Sequence, residues 1–392
     1  MSSKKQRMTT LAFLFIMMIL AAVVENTKGV FIPSFKAEFG VNDNTISNML
    51  ILCSAAYMVL TFVGGTLCEK IGQKTVFLSG LTTMVVSLMI LSGTKSYGVL
   101  LLGIAGTGAG LALTSIASNT ILPFLVLSAQ TIVMNMLHAS YGLGSSVGQS
   151  IFGTLTTMGI DWRKIYFVVG IIYLVILVLF IFVKIPKAHI KKVKSNITIK
   201  ELLANKIILL YIGALGLYVF AEQGVGNWFV NYMKFSYNID EQKASIYLAI
   251  FFAVITIGRL VGGVIVEKRG YFNTLYQSLV IAAVLFFTGL FLGENGMIIV
   301  ALSGLFFAIT FPTAVLTMSK VFKEKSAYIT GVLITSASFV GMIMNKVIGI
   351  LNEVIGPNKA FFIIPISVVG SAVFMVYLYK STKDKLQFDK GN

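Results

Sequence analysis

The chain has 392 residues, 57% of them hydrophobic and 12% charged, with a mean hydropathy of +0.89 and a formal net charge of +16. That apolar content excludes a soluble globular domain and fits a chain that crosses a membrane many times. Two cysteines and two histidines exclude a disulfide framework and a zinc site, so no metal and no cofactor is expected.

A bilayer-spanning helix needs about 20 mostly apolar residues. In chain order the apolar runs predict twelve: 8–33, 45–68, 76–93, 99–124, 131–157, 164–183, 206–232, 244–266, 272–293, 297–319, 327–351 and 359–380. They are too long, and alternate too little, for barrel strands, so helices are the remaining way to satisfy backbone groups in lipid. The first run follows the basic stretch MSSKKQR and has no small-residue cleavage site, which reads as an uncleaved span 1 rather than a signal peptide. With the N-terminus inside, 21 basic residues fall in inside segments and 7 in outside segments. This positive-inside bias predicts a multi-pass cell-membrane protein with both termini in the cytoplasm. The Lys- and Ile-rich composition suggests a bacterial inner membrane. Lys187, Lys191, Lys192 and Lys194 form the densest basic cluster, read as a topology or anionic-lipid signal and not as a nucleic-acid site.

The longest polar segment, KIPKAHIKKVKSNITIKELLANK at 184–206, has six spans on each side. The expected organisation is a first half at 1–183, a cytoplasmic linker at 184–205 and a second half at 206–392. Asn196-Ile-Thr in that linker is a glycosylation sequon by pattern only.

The halves echo each other. GTLCEKIGQK after span 2 carries Gly65, Glu69, Lys70, Gly72 and Lys74; GVIVEKRGYF after span 8 carries Gly263, Glu267, Lys268 and Gly270, each 198 residues later where they match. Ala139-Ser140-Tyr141 answers Ala337-Ser338-Phe339, and Gly106 answers Gly304, at the same offset. A shared offset near half the chain length predicts two six-helix bundles related by a parallel repeat, with a site at the membrane midplane.

These residues carry a resemblance. GTLCEKIGQK resembles the G-x-L-a-D-r-x-G-r-k signature of the major facilitator superfamily, with Glu69 in place of its aspartate. GRLVGGVIVEKRG, which begins at Gly258-Arg259, resembles the second-half counterpart. The resemblance implies an all-α membrane protein of twelve transmembrane helices in two six-helix bundles, the major facilitator fold. It makes Gly65, Glu69, Lys70, Gly72, Lys74, Arg259, Glu267, Lys268 and Gly270 a structural gating motif at the inner face. GTGAGLALTSIASN, LHASYGLGSSVGQ, VFAEQGVGNWFVNYM, FAITFPTAVLT and ITSASFVG look like the fucose–galactose–glucose:proton symporter family within it.

Ionisable groups inside spans are expensive and therefore functional candidates. They are Glu25, Lys28, His138, Glu222, Arg259 and Lys346. Glu25-Asn26 and Glu222-Gln223 are 197 apart, which places two acid–amide pairs at similar depth in the two halves. Carboxylates and amides suit sugar hydroxyls, which both donate and accept, and a carboxyl in an apolar cavity can carry a proton. Glu25 is either such a group or the ion-pair partner of Lys28, three residues on along the same helix face.

When Pro33 is matched to the proline that ends span 1 in the fucose transporter pattern, Asn26 falls on a sugar-binding asparagine. The family's protonatable aspartate falls on Gly29, with Glu25 one turn away. Thr114 and Ser115 stand where the family often carries an acid in span 4. His138 and Tyr141 fall on two polar sugar-binding positions, and Glu222 and Asn227 match the span 7 pattern. The expected binding set is Asn26, Asn135, His138, Tyr141, Gln149, Glu222, Asn227, Trp228 and Asn345; the expected coupling set is Glu25, Glu222 and His138. His138 is equally readable as a packed histidine, Trp228 as an interfacial anchor, and Lys346 as either an anion attractor or a snorkelling side chain. GTGAGL at 106–111 has no strand–turn–helix context and reads as helix packing.

The functional expectation is a monomeric secondary transporter in the lipid bilayer that moves a small polar solute, a sugar, by proton symport with alternating access. The competing readings are a proton-coupled drug or metabolite exporter of the same fold and a lipid flippase. No P-loop, paired metal motif or nucleophile elbow supports an ATPase or an intramembrane enzyme.

Overall fold

The computed structural model describes residues 4–125, 130–183, 185, 204–322 and 326–387; on the helices, the side chains of Glu69, Asn135 and His138 are also outside the described residues. Among the described residues there is no strand. The helices are α1 (Lys4–Phe39), α2 (Asp43–Ile71), α3 (Gln73–Ser92), α4 (Tyr97–Leu125), α5 (Gln130–Thr157), α6 (Trp162–Ile181), α7 (Lys206–Tyr237), α8 (Glu241–Arg269), α9 (Tyr271–Phe291), α10 (Met297–Phe307), α11 (Thr310–Val321), α12 (Ser326–Ile355) and α13 (Ile363–Gln387), with a short helix at Pro357–Ala360.

Local chemistry sets the helix ends. Asn42 caps α2 by accepting from the Thr45 N–H, Asp161 caps α6 from Arg163 N–H, and Asn205 caps α7 from Ile207 N–H. The α1–α2 turn is tied by Lys36 Nζ to Asp43 Oδ1 at 2.6 Å, and Arg163 and Trp162 both bond Glu38 at the end of α1. Large apolar side chains such as Phe62 on α2, Phe182 at the end of α6 and Phe291 on α9 are exposed, as a lipid-facing surface requires.

Every expected span contains helix, and among the described residues eleven segments are long and apolar enough to cross a bilayer. The expected span at 131–157 is not among the eleven. Its helix, α5, carries Ser140, Ser145, Ser146, Gln149 and Ser150 among small residues, which lowers its hydropathy. The expected span at 297–319 is two helices interrupted at Ala308–Ile309. Pro312 has no N–H to give the Ala308 carbonyl and crowds it. The Phe306 and Phe307 carbonyls accept instead from Ser278 Oγ (2.8 Å) and Tyr218 Oη (2.9 Å). Pro365 similarly accompanies the turn at Phe361–Phe362 that opens α13.

The chain forms two compact units. In the first, Met1–Lys191 with Asp240–Ala249, α3 lies on α4 and α6, α2 on α4, and α1 on α5. The first residues of α8 belong to it, with Ser146 Oγ donating to the Ala249 carbonyl at 2.9 Å. In the second, Lys192–Ile239 with Ile250–Asn392, α9 lies on α10 and α13, and α7 on α12 and α13. The sequence repeat reappears in backbone geometry: Gly72 has φ +88° and ψ 152°, Gly270 has φ +89° and ψ 148°, and each accepts from an N–H four residues on. Such a turn is open to glycine and strained for other residues.

The contact geometry adds two details to the repeat. The tight contact after span 2 is made by Gly64, whose Cβ would lie 2.8 Å from Ile116, and by Gly262 against Ile309; Gly65 and Gly263 face open space. The close approach of Gly304 to the Phe251 carbonyl is matched by Gly108 on the Cys53 carbonyl, not by Gly106, which packs on Ser87. Between α4 and α10 the contact register is therefore 196, while α2 and α8 keep 198.

Candidate functional site

In the first unit the polar stretch of α1 meets α2, α4 and α5. Glu25 Oε2 accepts from Tyr141 Oη of α5 at 2.6 Å. Asn26 Nδ2 donates to Ser145 Oγ at 3.0 Å and to its own helix at Ala22 O. Thr27 Oγ1 bonds the Val24 carbonyl and reaches Tyr166 Oη of α6 at 3.2 Å. Lys28 is 9% exposed and donates from Nζ to Cys53 Sγ of α2 at 3.3 Å. Glu25 and Lys28 are within electrostatic reach, yet no ion pair closer than 4.0 Å joins them among the described residues. The same-face spacing allowed that pair, but Tyr141 and Cys53 draw the two side chains apart. Tyr57 of α2 lies beside Ser115 of α4 and within electrostatic reach of Glu25.

One turn beyond Ser145, Gln149 is 1% exposed, and neither its Nε2 nor its Oε1 has a partner among the described residues. Buried amides are almost always bonded, so this one has an uncompensated cost.

The second unit treats its acid differently. Glu222 Oε1 pairs with Arg259 Nη2 of α8 at 3.2 Å, and both touch the buried Tyr218 one turn back along α7. This corrects the placement of Arg259 in the inner-face motif: it lies eight residues before Glu267, about 12 Å along the helix, and its guanidinium is spent on Glu222. Glu267, Lys268 and Lys70 are exposed. Lys74 Nζ donates to the Ile181 carbonyl at 2.7 Å, joining α3 to α6. Further along α7, Asn227 Nδ2 (3.4 Å) and Trp228 Nε1 (3.1 Å) both donate to Asn345 Oδ1 of α12, whose Nδ2 donates to Gly341 O. Trp228 is 1% exposed, so here its indole is a packed, hydrogen-bonded side chain. Gln223 is exposed, with its Oε1 near Gly341, the counterpart of Asn26 beside Ser145.

The structure thus brings together Glu25, Asn26 and Tyr141 in one unit, and Glu222, Asn227, Trp228 and Asn345 in the other. Asn135 and His138 are on α5, but their side chains lie outside the described residues. Sequence reasoning missed Tyr57, Cys53 and Tyr218. Tyr218 had a signal, four residues before Glu222 on one helix face; Tyr57 and Cys53 are ordinary span residues with none.

A helical membrane chain with acids, amides and bases gathered inside its spans fits the class of membrane transporters. It belongs to the Major Facilitator Superfamily, whose family model matches residues 14–345. It is accordingly a membrane-embedded transporter of a small molecule and not an enzyme. Among curated relatives, Bypass of stop codon protein 6 of Saccharomyces cerevisiae is 23% identical over 67% of this chain, and the match spans 58% of that protein's length. A putative glucose/galactose transporter of Helicobacter pylori is 24% identical over 78% of this chain and 79% of its own. Among solved structures, the nucleoside transporter NupG superposes with TM-score 0.78 at 16% identity over 96% of this chain and all of that one. The Escherichia coli fucose:proton symporter FucP superposes with TM-score 0.64 at 18% identity over 95% and 99%. The likeness to these structures shows a shared fold.

Proposed function

We propose that this chain is a proton-coupled sugar symporter working by alternating access. In this reading it has twelve transmembrane helices in two six-helix bundles, 1–183 and 206–392, joined by the linker 184–205. It acts as a monomer in a bacterial inner membrane with both termini in the cytoplasm. The names of the Helicobacter pylori relative and of FucP support a sugar and a proton.

One observation carries the coupling assignment: Glu25 is bonded by a neutral phenol, whereas Glu222 is bonded by a guanidinium. Tyr141 can donate to a carboxylate or accept from a protonated carboxyl, so Glu25 has a partner in either state. Arg259 is always charged and holds Glu222 in an ion pair. On that contrast of partners we assign Glu25 as the proton carrier and Glu222 as the ion-pair partner of Arg259. Asn26, Gln149, Asn227 and Asn345 supply amides for sugar hydroxyls, alongside Asn135, His138 and Trp228.

The test is uptake of labelled hexoses into proteoliposomes under an imposed pH gradient. Saturable accumulation that collapses with a protonophore is expected. Glu25→Gln should abolish accumulation while leaving counterflow exchange. Full gradient-driven accumulation in that variant, or none of any monosaccharide in the native protein, overturns the reading.

A further inference from the structure

Lys28 is the group that neutral-sugar transport leaves unexplained. It sits on a membrane-spanning helix and is nine-tenths buried. An ammonium offers three donors, and among the described residues its one hydrogen-bond acceptor is the thiol of Cys53, a weak acceptor at 3.3 Å. The anion in reach, Glu25, is engaged by Tyr141 rather than by Lys28. An unpaired cation inside a membrane protein is costly, and such groups mark substrate or ion pathways.

We propose that Lys28 is the counter-charge for an anionic substrate: the transported solute carries a carboxylate, and the Lys28 ammonium binds it. This rests on the symporter reading and narrows its substrate to an acidic sugar, such as a hexuronate. A single ammonium balances a single charge, which fits a monocarboxylate better than a dianionic phosphate ester.

The arrangement also ties the anion to the proton. Ionised Glu25, three residues away on the same face, competes with a substrate carboxylate for the Lys28 ammonium. A proton on Glu25 removes that competitor, and by linkage a bound carboxylate favours the proton. Among the described residues, the groups facing Glu25 and Lys28 from the packed helices are Cys53 and Tyr57 on α2, Ser115 on α4, Tyr141 on α5 and, through Thr27, Tyr166 on α6. All of these are neutral hydroxyls or a thiol, so none of them substitutes for either charge.

Binding of D-galacturonate, D-galactose and D-glycerate to the purified full-length protein, followed by calorimetry, tests this. The native protein should bind galacturonate at least tenfold more tightly than galactose. Lys28→Met should bring the two to within about twofold, and Lys28→Arg should keep the preference. Failure of both carboxylates to bind the native protein, or an acid preference that survives Lys28→Met, overturns the assignment. A native preference for galactose overturns it without any variant, so the test stands even if Lys28→Met does not fold. Binding of glycerate that is lost in Lys28→Met, with no binding of either hexose derivative, keeps the Lys28 site and overturns the sugar reading alone.

Discussion

The two units place an acid–amide pair at matching points of α1 and α7 and then diverge. In the first, Glu25 meets a phenol and its neighbouring base turns to a thiol. In the second, Glu222 meets Arg259 directly. One repeat has thus yielded two kinds of acid: one bonded by a neutral hydroxyl and one paired with a cation. A duplicated scaffold does not imply duplicated chemistry; the partner from the adjacent helix decides the role.

The sharpest way to break this comparison is to remove the charged groups one at a time. Arg259→Met leaves Glu222 without its ion-pair partner, and the loss should be about 3–5 kcal/mol. Adding Glu222→Gln should recover most of it, as read by thermal unfolding of the single and double variants in detergent. Glu25→Gln, whose partner Tyr141 is neutral, should cost no more than about 1 kcal/mol. Equal losses from Arg259→Met and Glu25→Gln would erase the distinction between the acids.

A smaller effect concerns the amides. Gln149 in the first unit is buried with both polar atoms unpartnered, whereas Gln223 in the second is exposed. Gln149→Leu should raise stability by about 1–2 kcal/mol, the cost of an unsatisfied buried group. Gln223→Leu should be near neutral. A destabilised Gln149→Leu would mean the amide is satisfied in the protein's working state.

The smallest effect tests likeness rather than difference. Gly72→Ala and Gly270→Ala should each cost about 1 kcal/mol, because both turns hold the same positive φ. Unequal melting shifts would show that the two turns, alike in φ and ψ, are not equivalent in energy.

The repeat was the most legible feature of the sequence, and Gly72 and Gly270 show why. A backbone angle that favours one residue type leaves a mark that survives duplication. The helices were legible through their apolar length, α5 included, although its small polar residues leave it less apolar than the other spans. The pairing of Glu222 with Arg259 was not legible. The two are 37 residues apart on different helices, and the Gly-Arg dipeptide drew Arg259 into a motif at the helix end. Nor was the separation of Glu25 from Lys28, since spacing on one helix says which groups are able to meet and nothing about what competes for them. Cys53, set aside as neither disulfide nor metal ligand, turned out to be that competitor.

The interruption at Ala308–Ile309 has a mechanical consequence. Pro312 has already removed one helical bond there, and Tyr218 and Ser278 hold the carbonyls of Phe307 and Phe306 from α7 and α9. The joint between α10 and α11 is thus a weakened point of the rod, tied to two neighbouring helices. Bending at that point sacrifices little of the backbone ladder, and the side chains that pin it decide where along the rod the bend occurs.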